Sequence, residues 1–262
     1  DAEDLARARD EFASLKYLEN ALSGSPIRFV TGRAFLESDG AVVTGRVRGH
    51  DAFRDLRRWD RAAAGGDAAA LAELERHVAD VGRMLAHVHR SDSSDSEVDI
   101  GAKARKLLTY AAGLEAAGVN AAVLRGLPVR LRGVAGRLPT QTARTLKGID
   151  VRNLLWSDDG RLVCLDPGAM KRAPVEADLA RFLVTFRILY WGAPSFALGR
   201  LPAPRAEAAF LGGYHPAGEV SRVLAWYLLK EVMKHWLMAH TAVDVSSMPR
   251  FLKPGVRRWY VD

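Results

Sequence analysis

One cysteine among 262 residues, Cys164, rules out an intramolecular disulfide and fits a reducing cytoplasm. Flanked by Val163 and Leu165, its thiol reads as a buried strand residue rather than a reactive group. No apolar run approaches the ~18 residues of a membrane-spanning helix. No basic-then-apolar leader opens the chain, so secretion is not indicated. Residue 1 is Asp rather than Met, and the chain is expected to be a processed product or a fragment. Zinc-finger, RNA-recognition and basic-zipper signatures are missing, so nucleic acid is not an indicated partner. His87 and His89 stand two apart, on different faces of a helix, which argues against a metal shared between them. No internal repeat is present.

Acidic residues are in the minority: 31 Asp and Glu against 38 Lys and Arg give a net charge of +7. Such a balance favours anionic partners, including nucleotide phosphates and acidic lipid. Arginines gather at Phe53–Arg61, Arg125–Arg137 and Gly255–Tyr260, where a solvated surface is the plain alternative. The rest of the composition is that of an ordinary globular protein, long enough for one large domain or two modest lobes.

Apolar spacing predicts a helix over 3–22, carried by Leu5, Phe12, Leu15, Leu18 and Leu22 and stopped by Ser23–Pro26. Apolar stretches on either side of Asp39-Gly40 predict a hairpin. Arg48–Asp51 reads as a linker and Phe53–Trp59 as a short helix. Asp67 caps a longer helix running to about Arg90. Ser91–Glu97 reads as a polar loop, 102–117 as a helix, and the Gly- and Arg-rich stretch after it as irregular. A second hairpin follows, turning at Asp158-Asp159-Gly160, and helices return at about 175–190, 205–213 and 219–240.

The second hairpin carries the chemistry. The run GIDVRNLLWSDDGRLVCLDPG, Gly148 to Gly168, places Asn153 at its start and Asp166 at its end, with a strand pair fixing their separation. The plain alternative is that Asn153 caps a turn and that Asp-Pro-Gly is only a turn signal.

This order of elements resembles the aminoglycoside-phosphotransferase and choline-kinase branch of the protein-kinase-like superfamily, with a lipopolysaccharide-kinase-like variant also in view. The likeness is carried by EFASLKYLENAL, AVVTGRVRG, VGRMLAHVHR, NLLWSDDGRLVCLDPG, EADLARFLVTFRI and FLGGY, in that order. It implies an α+β fold: a truncated small N-terminal lobe over 1–49 and a mainly helical C-terminal lobe over 50–262. It implies an ATP-dependent phosphotransferase acting on a hydroxyl of a small molecule or glycolipid, cytoplasmic, with a peripheral place at the inner membrane face. Asn153 and Asp166 would hold Mg2+ bridging the ATP phosphates, Glu11 would be the glutamate of the small-lobe helix, with Glu3 second, and Asp178 would be structural.

The chain also departs from that pattern. The family's loop reads His-Gly-Asp, four residues, then Asn. Five residues before Asn153 stands Gly148, and the loop has no histidine. Asp150 is its only carboxylate, so it is the candidate base, and a takeover requires a re-shaped loop. Lys147 is a candidate phosphate contact, with a surface lysine as the alternative. No glycine-rich strand pair or strand lysine precedes Glu11, which as an exposed helix glutamate would need neither. A catalytically silent kinase-fold module is therefore the rival expectation.

Overall fold

Helix formation is set locally at several points. The carboxylates of Asp51, Asp67 and Asp99 accept backbone N–H bonds from Arg54, from Ala69 and Ala70, and from Ala102, opening three successive helices. The computed structural model describes residues 2–23, 28–119, 122–190, 203–215 and 221–241. The helix stop expected at Gly24–Pro26 and the basic Gly255–Tyr260 cluster lie outside the described residues.

The elements are α1 (Ala2–Ala21), β1 (Arg28–Phe29), β2 (Gly32–Leu36), β3 (Ala41–Thr44), β4 (Gly49–Asp51), α2 (Ala52–Ala64), α3 (Ala68–Arg90) and β5 (Ser94–Asp99). They continue with α4 (Ile100–Ala116), α5 (Ala122–Leu131), β6 (Arg137–Thr145), a 3-10 turn (Val151–Asn153), β7 (Leu154–Ser157), β8 (Leu162–Cys164) and β9 (Lys171–Pro174). Helices α6 (Glu176–Tyr190), α7 (Ala203–Tyr214) and α8 (Arg222–Thr241) close the order. The chain divides into two compact units, residues 1–96 with 141–220, and residues 97–140 with 221–262.

In the first unit, β2 and β3 form the expected hairpin, with Gly40 at φ 58° in its turn. Phe12 and Leu15 of α1 pack against β2 so closely that a Cβ at Gly32 would lie 3.1 Å from the Phe12 ring. A four-stranded sheet runs β1-β8-β7-β4. It contains the second hairpin, β7 antiparallel to β8, with Gly160 at φ 76° in the turn. The stretch expected as a linker supplies its edge strand, β4, paired with Trp156 and its neighbours. Only glycine fits at position 49, because a Cβ there would lie 2.1 Å from the Trp156 carbonyl oxygen. The buried His77 ring sits between Trp59 and Trp156, 4.2 and 4.4 Å from their centroids.

Helices α3 and α7 meet backbone to backbone. A Cβ on Gly82 would lie 2.1 Å from the Phe210 carbonyl oxygen, and one on Gly213 would lie 2.2 Å from that of Ala79. This reciprocal approach fixes the end of α7 against the last turns of α3. Phe182 and Phe186 of α6 and Phe210 of α7 fill the space beside them, all fully buried.

The second unit is mostly helical. Leu107, Ala111 and Leu114 of α4 pack with Leu124 and Leu127 of α5 and Met233 of α8. Glu231 of α8 is buried, but Lys230 and Lys234 bond it at 2.9 and 3.0 Å. Burial alone would raise its carboxyl; the two ammonium groups outweigh that and hold it below the usual range. The polar stretch expected as a loop forms β5, and the stretch expected as irregular forms α5 and β6.

Candidate functional site

The site is built around Gly148. Its N–H donates to the Pro167 carbonyl at 3.1 Å, and a Cβ at this position would lie 2.1 Å from the Asp166 carbonyl oxygen. The position where the resemblance expects a carboxylate therefore has no room for any side chain. The Gly148 carbonyl accepts from Nδ2 of Asn153 at 2.8 Å, and the Asn153 carbonyl accepts from the Leu165 N–H, also at 2.8 Å. These contacts bring Asn153, Gly148 and Asp166 into one junction. Because Nδ2 of Asn153 is spent on Gly148, its Oδ1 is the group left to meet a ligand.

Asp166 is exposed and closes a tight turn, with Oδ1 accepting from the Gly168 N–H at 2.8 Å. Gly168 supplies the positive φ that this turn needs, 63°. Helix α1 is tied to the segment just beyond. The Ser14 hydroxyl accepts from the Met170 N–H at 2.9 Å and donates to the Asp10 carbonyl. Glu11 lies three residues earlier, on the same face as Ser14. Burial, the Asp166 carboxylate and the opposing influence of Arg7 together leave the Glu11 carboxyl above its usual range. Glu11 is thus within electrostatic reach of Asp166.

Asp150 is placed differently. Its Oδ1 accepts from the Arg152 N–H at 2.8 Å, capping the 3-10 turn, and Arg152 Nη2 donates to Oδ2 at 2.6 Å. The carboxylate is nearly buried, while the Arg152 side chain is 62% exposed. Lys147 is exposed, and its carbonyl accepts from the Arg181 guanidinium of α6.

Beneath the loop lies a polar set that sequence reasoning did not assemble. Oδ2 of buried Asp178 accepts the Leu146 N–H at 2.6 Å and meets His89 Nε2 at 3.0 Å. His89 Nδ1 lies 2.8 Å from the Tyr214 hydroxyl. A proton on Nε2, facing the Asp178 carboxylate, leaves Nδ1 to accept from Tyr214. Burial first, then Glu176 and Asp178, push the Tyr214 phenol up, which keeps it a donor. The loop has no histidine of its own, and α3 supplies the imidazole instead. Asp178 was legible as structural, but His89 and Tyr214 meet it only through the α3–α7 crossing.

Two oxygen donors on a hairpin suit a hard divalent cation that completes its shell from phosphates and water. Among the described residues, no group of three or more His, Cys, Asp and Glu is arranged to hold a metal by itself. Cys164 is buried, which pushes its thiol up to about 12 and leaves it inert. No helix of the described residues is long and apolar enough to cross a membrane.

No family model matches the chain, and no curated protein matches it in sequence. Solved structures do. A glucosamine kinase in complex with glucosamine, ADP and inorganic phosphate superposes with a TM-score of 0.59 at 15% identity, covering 95% of this chain and 69% of that one. Another crystal form of glucosamine kinase gives 0.59 at 17% identity, covering 94% of this chain, which spans 63% of that one. An aminoglycoside phosphotransferase from Alicyclobacillus acidocaldarius gives 0.50 at 12% identity, covering 98% and 78%. Each is a kinase or phosphotransferase by name, and the α+β fold of this chain resembles theirs.

Proposed function

We propose that the chain is an ATP-dependent phosphotransferase acting on a hydroxyl of a small molecule. The observation that carries this reading is the Gly148 junction, which gathers Asn153 and Asp166, with Glu11 of α1 within electrostatic reach of Asp166. It is supported by fold neighbours that include complexes with ADP and with AMP-PNP. In this reading residues 1–49 are the small lobe, and adenine meets backbone between Thr44 and Gly49. Asn153 and Asp166 hold Mg2+, which neutralises charge on the transferring phosphoryl group. Lys147 and Arg152 face the phosphates, and Asp150 receives the proton of the acceptor hydroxyl. Phosphate attracts the exposed Arg152 guanidinium away from Asp150 and leaves the carboxylate free to act. A sugar, amino sugar or glycolipid headgroup fits the acceptor class, and the chain works in the cytoplasm.

Calorimetry with ATP and Mg2+ tests the reading. Binding is expected for the native chain and is expected to vanish in Asn153→Ala and in Asp166→Ala, each of which removes a cation ligand and leaves the core intact. Unchanged affinity in both variants would refute it. A second reading, a silent kinase-fold binding module, is favoured by the Arg152 clamp on Asp150 and by the filled space at Gly148. A coupled ATP-turnover assay with amino-sugar acceptors separates the two: binding without turnover selects the silent module.

A further inference from the structure

The arginine cluster that follows α4 is not absorbed by the site. Residues 116–149 contain no Asp or Glu, yet carry Arg125, Arg130, Arg132, Arg137, Arg144 and Lys147. Arg137 and Arg144 pair with Glu97 and Asp92 from outside the stretch, at 3.5 and 3.1 Å, so the basic surface around α5 is that of Arg125, Arg130 and Arg132. The cluster on α2 is different in kind, because Asp55 and Asp60 interleave with its arginines and Asp55 pairs with Arg58 at 3.3 Å. Helix α5 lies at the centre of the acid-free stretch. It buries Leu124 and Leu127 in the second unit's core and turns its other side outward.

That outer side is apolar as well as basic. Val123 is 61% exposed and Val129 is 68% exposed, more than any other large hydrophobic residue among those described. At 100° per residue, Ala122, Gly126 and Val129 line up on the outer face, with Arg125 on one flank and Arg130, next to Val123, on the other. We infer that α5 and the turn after it form a docking surface for an anionic lipid bilayer, with the valines entering the headgroup layer and Arg125, Arg130 and Arg132 meeting lipid phosphates. A short helix with exposed valines beside cations suits that interface. Nucleic acid would satisfy the arginines but not the valines, and α5 offers no aromatic ring for a base to stack on. The chain's own residues 242–262, with Arg250, Lys253, Arg257 and Arg258, carry the wrong charge to cover it. The inference does not depend on the phosphotransferase reading.

Flotation of the full chain with vesicles tests it. The native chain is expected to float with phosphatidylcholine vesicles containing phosphatidylglycerol and not with pure phosphatidylcholine. Arg130→Glu with Arg132→Glu is expected to lower partitioning at least about tenfold, and Val129→Ser about threefold. Arg54→Glu with Arg58→Glu on α2, the same change in net charge, is expected to leave partitioning within about twofold. Circular dichroism of each variant checks that the fold is kept, and Val129→Ser carries the test if a charge-reversed variant does not fold. The proposal is overturned if the native chain floats with neither vesicle, if both double variants lose partitioning equally, or if Val129→Ser changes nothing. It is also overturned if RNA binds with the same dependence on Arg130 and Arg132 and displaces the vesicles.

Discussion

Two stretches meet at Gly148 and are held in opposite ways. The loop from Leu146 to Asn153 is anchored from below by buried groups drawn from three helices, namely Asp178, His89 and Tyr214. In the turn from Asp166 to Gly168 the Asp166 side chain is exposed, and its Oδ1 accepts from the Gly168 N–H only two residues ahead. The difference separates two tasks. A group that fixes geometry is best buried, where each hydrogen bond is strong and a lost partner is costly. A group that takes up and releases a cation is best at the surface, where water replaces the ligand cheaply.

The comparison can be broken first at Asp178. Asp178→Ala leaves the Leu146 N–H and the His89 ring without their acceptor, and urea unfolding is expected to show a loss of about 3–5 kcal/mol. A loss below about 1 kcal/mol would mean that the buried anchor does not hold the loop.

Gly148→Ala attacks the junction itself. The added methyl must displace the Asp166 backbone, at an expected cost of about 1–3 kcal/mol. ATP affinity is expected to fall by more than about tenfold if the junction sets the ligand geometry. A destabilised variant that binds ATP normally would separate packing from function at this point.

Asp166→Ala sharpens the contrast from the exposed side. Only a local turn bond is lost, so stability is expected to change by about 1 kcal/mol or less, while Mg2+-dependent binding disappears. A large loss of stability would show that Asp166 is structural.

The smallest effect is expected at Glu11. Burial and the Asp166 carboxylate raise its carboxyl above the ordinary range, so the ionised form costs the fold stability. Below the unfolded-state value both states are protonated and the cost is absent; it grows as pH rises through the raised folded value. Glu11→Gln removes it. The variant's Tm is expected to exceed that of the native chain by about 1–2 °C near neutral pH, a small gain because much of Glu11 remains in water. The two curves are expected to converge in mild acid. The opposite order near neutrality would mean that a cation already sits between Glu11 and Asp166.

Much of this architecture is legible in the residues. Asp67 and the apolar spacing behind it mark α3, and the turns at Gly40 and Gly160 mark both hairpins, because these signals act over a few residues. The elements that escape are those whose reasons are distant. Strand β4 exists because Gly49 can approach Trp156, more than a hundred residues away in sequence. Strand β5 is polar, and its pairing, not its composition, makes it a strand. Helix α5 carries Pro128 and Gly126, which disfavour helix locally, and burial of Leu124 and Leu127 overrides them. In the site, the spacing of Asn153 and Asp166 could be counted. The Arg152 clamp on Asp150 and the His89–Tyr214 bond could not, since each depends on how side chains turn once the helices have packed.

The crossing of α3 and α7 has a consequence for finding kin. Gly82 and Gly213 each press on the other helix's backbone, so neither codon can drift to a larger residue while its partner stays. His89 stands seven positions after Gly82, and Tyr214 follows Gly213 directly. A diverged descendant that keeps the imidazole over the loop would therefore carry Gly, six residues and His in one place, and Gly-Tyr in another. Overall identity to this chain could fade entirely before that pair of short words did.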